Sequence, residues 1–200
     1  TGKVAVITGA SSGLGADAAR AYAEQGADVA ILARRKEKLD DLAEEIRGMG
    51  RKALAVQCDV TDETSVKNAV ADVISYYGKI DILLNNAGVA IKGAVHELSV
   101  EDWDKGMNTN VKGPFLMSKY VVPHKRNYGK IVNLASINAV IGDKNPALYR
   151  HVYNASKAAV MGLTIGMATS YMQHGITVNA VGPGLFETEM TANTLFKADE

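Results

Sequence analysis

Thr8-Gly9-Ala10-Ser11-Ser12-Gly13-Leu14-Gly15 joins an apolar run, Val4–Thr8, to an amphipathic stretch, Gly13–Gln25. Three glycines between a strand and a helix constrain the fold tightly, because each removes a Cβ where something must come close. Gly9 makes the tight exit from the strand, and Gly15 lets the helix pack close to the sheet. Gly13 clears the backbone for a pyrophosphate, which the free amides of the helix start, beginning with Leu14, would face. The spacing is G-x-x-x-G-x-G rather than the commoner G-x-G-x-x-G. On its own it also suits an ordinary glycine-rich turn, so its strand–helix setting is what gives it meaning.

That setting repeats. Apolar, β-branched runs at Val4–Thr8, Asp28–Ala33, Ala53–Cys58, Ile80–Asn85, Lys130–Leu134 and Thr177–Val181 read as strands buried on both faces. Between them lie helical stretches at Gly13–Gln25, Glu37–Gly48, Glu63–Tyr77, Val100–Val122 and Tyr153–Gln173. Gly26 and Gly78 sit where C-terminal caps belong, and Ser99 where an N-cap does. The alternation predicts an α/β fold: one Rossmann-type, doubly wound parallel sheet with helices on both faces, spanning residues 1–200 as a single domain.

Composition narrows the partners. Lys+Arg and Asp+Glu balance at 22 each, which speaks against a nucleic-acid surface. No apolar run approaches the ~18 residues of a membrane span. Cys58 is the only cysteine, so no internal disulfide forms, and a reducing, cytoplasmic setting is expected. No His/Asp/Glu group has metal-ligand spacing, so no metal is expected. Cys58 reads as a small buried hydrophobe, His151 as a helix-entry residue, and Met161, Met167 and Met172 as core or subunit contacts.

The second strand ends Ile31-Leu32-Ala33-Arg34-Arg35. Dinucleotide folds that use NAD usually carry a carboxylate in this region for the ribose 2′-OH. None is available here before Glu37. Arg34 can instead make charge-assisted bonds to a 2′-phosphate, with Ser11 and Ser12 adding hydroxyl contacts. The expected cofactor is therefore NADP(H), with NAD(H) possible. The competing reading is a solvated arginine pair.

Tyr153-Asn154-Ala155-Ser156-Lys157 places a phenol and an ammonium at i, i+4 on one helix face. A phenol ionises near ~10, and a nearby positive charge favours the phenolate and brings proton transfer within reach of neutral pH. Ser136 follows the fifth strand, at the edge where parallel sheets bind ligands, and serves either to polarise a carbonyl or to cap a turn. Asn85 and Asn86 close the fourth strand although asparagine is poor strand material. Asn110, within a helical stretch, either bends the helix and orders water or is solvated.

Together these residues resemble the short-chain dehydrogenase/reductase family. The resemblance rests on T-G-x-x-x-G-x-G at Thr8–Gly15, N-N-A-G at Asn85–Gly88, Ser136, Y-x-x-x-K at Tyr153–Lys157, and Pro183-Gly184 followed by Thr188. It implies an oxidoreductase moving a hydride between NADP(H) and a secondary alcohol or ketone. Tyr153 is then the general acid/base, Lys157 tunes it and binds the nicotinamide ribose, Ser136 orients the substrate oxygen, and Asn110 supports a relay water. Asp59 and Val60 would meet the adenine. Asn86, Ala87 and Gly88 would line the adenosine-ribose side. Pro183, Gly184, Phe186 and Thr188 would form the nicotinamide wall. The resemblance also implies a small-molecule partner and a homodimer or homotetramer, and leans toward the gluconate 5-dehydrogenase-like group. Sugar acids and polyols, 3-oxoacyl thioesters and hydroxysteroids all remain open as substrates. The alternative is a catalytically weak, cofactor-binding regulator of the same fold.

Three departures stand out. The sequence ends at Glu200, without the final strand and helices usual in the family. The interval from Ser136 to Tyr153 is longer than usual, adding Ile141–His151 beside the substrate pocket. The connection His124-Lys125-Arg126-Asn127 is shorter than usual.

Overall fold

The computed structural model describes residues 1–124, 128–186 and 188–189, so most of the short connection noted above, residues 125–127, lies outside it, as do residues 187 and 190–200. In chain order the main elements are β1 (Val4–Thr8), α1 (Gly13–Glu24), β2 (Asp28–Ala33), α2 (Lys36–Gly48), β3 (Ala53–Gln57), α3 (Glu63–Tyr77), β4 (Ile82–Asn85), α4 (Val100–Met107), α5 (Gly113–Val121), β5 (Gly129–Leu134), α6 (His151–Tyr171) and β6 (Ile176–Val181). The six strands form one sheet in the order β3-β2-β1-β4-β5-β6, and every pairing is parallel. The chain turns from one side of the sheet to the other between β1 and β4, which opens a crevice at their carboxyl ends.

Period-2 alternation divides the strand residues between two cores. Ala5, Ile7, Val29 and Ile31 pack with Ala19 and Leu39 of α1 and α2. Val6, Leu32, Leu83 and Ile131 pack with Val70, Leu116 and Met167 of α3, α5 and α6. Burial on both faces is why β1 and β2 read as unbroken apolar runs; β5 and β6 depart from that expectation, since alternate residues of β5 are only half-buried and Thr177 and Asn179 of β6 are exposed. The expected caps are present: Ser99 accepts from Asp102 N, and Gly78, at φ +74°, closes α3. Gly26 takes φ +84° just past the end of α1.

The stretch expected as one helix over Val100–Val122 is interrupted. Residues Asn108–Lys112 form a π turn between α4 and α5. Two neighbours explain it. Pro114 has no N–H to give the Asn110 carbonyl at α-helical spacing. The Asn110 side chain is meanwhile held from outside the helix, its Oδ1 accepting from Val89 N at 2.8 Å and its Nδ2 donating to Val89 O and Ser156 Oγ, each at 2.9 Å. The other differences are at element ends: β4 starts two residues later than expected, and α6 starts two residues earlier, at His151. Cys58 lies just past β3, 2% exposed.

Candidate active site

A cleft of about 710 Å³ runs along the carboxyl ends of the strands. Of the residues expected to form the site, all but Gly15 and Asn110 line it. The loop after β1 supplies its floor. Gly9 takes φ +66°, and a Cβ there would stand 2.8 Å from the Ala87 Cα. A Cβ on Gly15 would stand 2.4 Å from both the Gly9 carbonyl oxygen and Asn86 Nδ2, so Gly15 shapes the cleft from behind. Gly13, at φ +54°, presents bare backbone at the start of α1. This cradle, which side chains would fill, suits a pyrophosphate.

The paired asparagines are explained by what they hold. Asn86 Nδ2 donates to the carbonyls of Thr8 and Gly9 at 3.0 and 3.3 Å, while Thr8 Oγ1 accepts from Asn86 N and Ala87 N at 3.0 and 3.1 Å. These bonds lock β1's exit to β4's exit. Asn85, 3% exposed, pairs in register with Asn133 and donates to its Oδ1 at 2.9 Å. Asn133 in turn donates to Thr164 Oγ1 of α6 at 2.9 Å. The strand ends are thereby fixed to the helix that carries Tyr153 and Lys157.

Lys157 is 5% exposed, and its Nζ donates to the Leu134 carbonyl at 2.5 Å. The same Nζ stands 5.6 Å from the centroid of the Tyr153 ring. Burial pushes the ammonium down to about 8. Gly88 leaves room for Asn110 beside it, since a Cβ there would lie 3.2 Å from Asn110 Oδ1. Ser136, two residues past Leu134, is 8% exposed; its Oγ accepts from Asn138 N at 3.2 Å and donates weakly toward Asn138 Oδ1 at 3.4 Å. Ser136, Tyr153 and Lys157 thus line the same cleft as the glycine loop. Asn110 stands behind them, 1% exposed, joined to α6 through Ser156. His151 enters α6 with its Nδ1 accepting from Val95 N at 2.9 Å.

Past the end of β3, Asp59 Oδ1 accepts from Thr61 N and Thr61 Oγ1 at 2.9 and 2.8 Å. Burial opposes its ionisation, but the Thr61 bonds and the charge of Arg34 outweigh it and hold the carboxyl below its usual range. The two arginines differ in surroundings. Arg34 borders the cleft near Asp59, whereas Arg35 donates to Ser11 Oγ from Nε and NH2 at 3.1 and 3.0 Å, and to Ser12 Oγ at 2.7 Å.

Several lining residues do not stand out in the sequence. Arg35 reads there only as the partner of Arg34. Lys105, Asn108, Thr109 and Lys112 also border the cleft, and their helical spacing could have marked them as one face. Glu189, past β6, reaches Arg35 at 3.0 Å.

The sequence profile of the short chain dehydrogenase family matches residues 3–198. The chain belongs to the short-chain dehydrogenase family. As a short-chain dehydrogenase it is an NAD(P)-dependent oxidoreductase acting on CH–OH groups. It is 40% identical to the 3-oxoacyl-(acyl-carrier-protein) reductase FabG of Thermotoga maritima, over 100% of this chain and 80% of that protein. It is equally, 40%, identical to gluconate 5-dehydrogenase of Gluconobacter oxydans, over 100% of this chain and 77% of that protein. A short-chain dehydrogenase from Burkholderia cenocepacia, solved in complex with NADP, superposes with a TM-score of 0.89 at 38% identity, covering 95% of this chain and 77% of that one. No helix of the described residues is long and apolar enough to cross a membrane.

Proposed function

We propose that this short-chain dehydrogenase moves a hydride between NADP(H) and a secondary alcohol or ketone, with Tyr153 carrying the proton. The observation that carries the reading is that Tyr153, Lys157 and Ser136 border one cleft with the glycine loop. Bound there, the nicotinamide would supply the hydride chemistry. Tyr153 gives its phenolic proton to the carbonyl oxygen in reduction and takes it back in oxidation. The Lys157 ammonium, 5.6 Å from the ring, favours the phenolate when it is charged. It has three donors, of which the Leu134 carbonyl takes one, leaving capacity for ribose hydroxyls. Ser136 turns its hydroxyl from its weak contact with Asn138 to the substrate oxygen. Asn110 acts through its backbone, because its side-chain amide is bonded to Val89 and Ser156 and Pro114 gives its carbonyl no helical N–H. That carbonyl is the place for a relay water.

Preference for NADP(H) over NAD(H) is supported by the absence of a carboxylate at Ala33 and by the Arg35–Ser11–Ser12 group at the end of β2. The solved neighbour crystallised with NADP points the same way. Relatives of equal identity are named for different substrates, so similarity does not choose between a sugar acid and a 3-oxoacyl thioester. We also propose a homo-oligomer built on α6, where Gly162, Ile165 and Gly166 form an exposed stripe with open space over both glycines. NADPH and NADH oxidation followed against sugar-acid ketones, 3-oxoacyl thioesters and ketosteroids tests the reading. Turnover of at least one class, faster with NADPH, is expected. Tight NADPH binding without oxidation by any ketone would favour the regulator instead.

A further inference from the structure

Two adjacent residues past β6, Thr188 and Glu189, lie against the phosphate loop and the end of β2. Thr188 lies over Gly13, whose missing Cβ would be 3.4 Å from Thr188 Cβ and Cγ2. Glu189 Oε2 accepts from Arg35 NH2 at 3.0 Å. The same guanidinium donates to Ser11 Oγ and Ser12 Oγ, so two hydroxyls and this carboxylate converge on one cation. The bonds from Arg35 and Ser12 hold the Glu189 carboxyl below its usual range. A cation flanked by hydroxyls at the end of β2 is an anion cradle, and here its anion belongs to the protein.

We propose that Glu189 is an internal competitor for the cofactor's 2′-phosphate: it latches the segment over the phosphate loop onto Arg35, and a 2′-phosphate must displace it whereas a 2′-hydroxyl need not. The proposal rests on the reading that the cleft takes NADP(H). Two anions on one guanidinium repel each other, so the phosphate enters only as the carboxylate leaves. The latch therefore lowers the apparent affinity for the phosphorylated cofactor by the fraction of molecules in which it is closed. The side chains of Arg35 and Glu189 are 48% and 57% exposed, so solvent screens the pair and the effect is modest.

Calorimetric titration of the full chain with 2′,5′-ADP and with 5′-AMP isolates the adenosine end. Glu189→Gln is expected to bind 2′,5′-ADP about three- to tenfold more tightly than wild type, with 5′-AMP affinity within about twofold. Adding Arg35→Ala to Glu189→Gln is expected to erase the gain. Circular dichroism checks that each variant is folded. Unchanged or weaker 2′,5′-ADP binding by a folded Glu189→Gln protein that still prefers 2′,5′-ADP would overturn the latch and leave the cofactor reading standing. Equal tightening of both nucleotides would also overturn it, as a general charge effect. No preference for 2′,5′-ADP in either protein would overturn the cofactor reading itself.

Discussion

Lys157 Nζ donates to the Leu134 carbonyl oxygen at 2.5 Å, tying the helix of Tyr153 to the strand end that leads into Ser136. The bond comes at a cost, because a 5%-exposed ammonium has left water.

That cost has a pH signature. Burial pushes Lys157 down to about 8, below the unfolded value near ~10.4. As pH rises the folded state releases this proton first, so its contribution to stability increases from about pH 8 to about pH 10.4. Below that window the full penalty applies. Lys157→Met is therefore expected to be more stable than wild type at pH 7, by about 1–3 kcal/mol after the lost Leu134 bond is allowed for. The gap is expected to shrink at pH 10. Urea unfolding of both proteins at the two pH values measures it, and a gap that does not change with pH would contradict the assignment.

The cofactor end gives a second prediction. Arg35→Ala is expected to weaken NADPH binding by roughly tenfold and to change NADH binding little, since an exposed charge-assisted bond falls at the low end of its range. Ala33→Asp combined with neutral residues at Arg34 and Arg35 is expected to reverse the preference, because the new carboxylate repels phosphate and accepts from a ribose hydroxyl. Fluorescence titration with both cofactors checks this. Equal losses for NADPH and NADH in Arg35→Ala would mean that the arginine supports the loop rather than the phosphate.

Much of this was legible in the sequence for identifiable reasons. The strands could be read because residues such as Ile7, Ile31 and Ile131 are buried whichever face they point to. The glycine loop could be read because Gly9 and Gly15 face backbone and Asn86 at distances no side chain tolerates. The π turn was hidden, because Asn110 and Pro114 lie in an otherwise helical pattern and the bonds that hold Asn110 come from Val89 and Ser156, 21 and 46 residues away. Which arginine meets the serines was also hidden, since it depends on how the chain leaves β2. Glu189 joins Arg35 across 154 residues and has no local signal at all.

Asn154 is expected to position the site without touching substrate. Its Nδ2 donates to the carbonyls of Asn138 and Ile141, both at 2.8 Å, fastening the turn after Ser136 to the start of α6. Asn154→Ala frees that turn, and a small displacement of Ser136 is expected to lower kcat roughly tenfold while NADPH affinity stays within about twofold. Steady-state kinetics with a binding titration separates the two. An unchanged kcat would show that the turn holds its shape unaided.

Self-association is expected to follow the exposed stripe on α6. Ile165, 66% exposed, lies between Gly162 and Gly166, over which nothing packs among the described residues. Wild type is expected to be a dimer or larger at micromolar concentration, and Ile165→Glu to shift it toward monomer. Light scattering reads both. A monomeric wild type would contradict the interface.

The most direct measurement is turnover and NADPH binding in Tyr153→Phe. The substitution removes one hydroxyl from a ring that borders the cleft and leaves Lys157, Ser136 and the glycine loop in place. If Tyr153 carries the proton, kcat should fall by about 10²–10⁴-fold while NADPH affinity stays within a few-fold of wild type. A variant that keeps turnover within tenfold of wild type would contradict the account, because the proton would then travel by a route that does not pass through Tyr153.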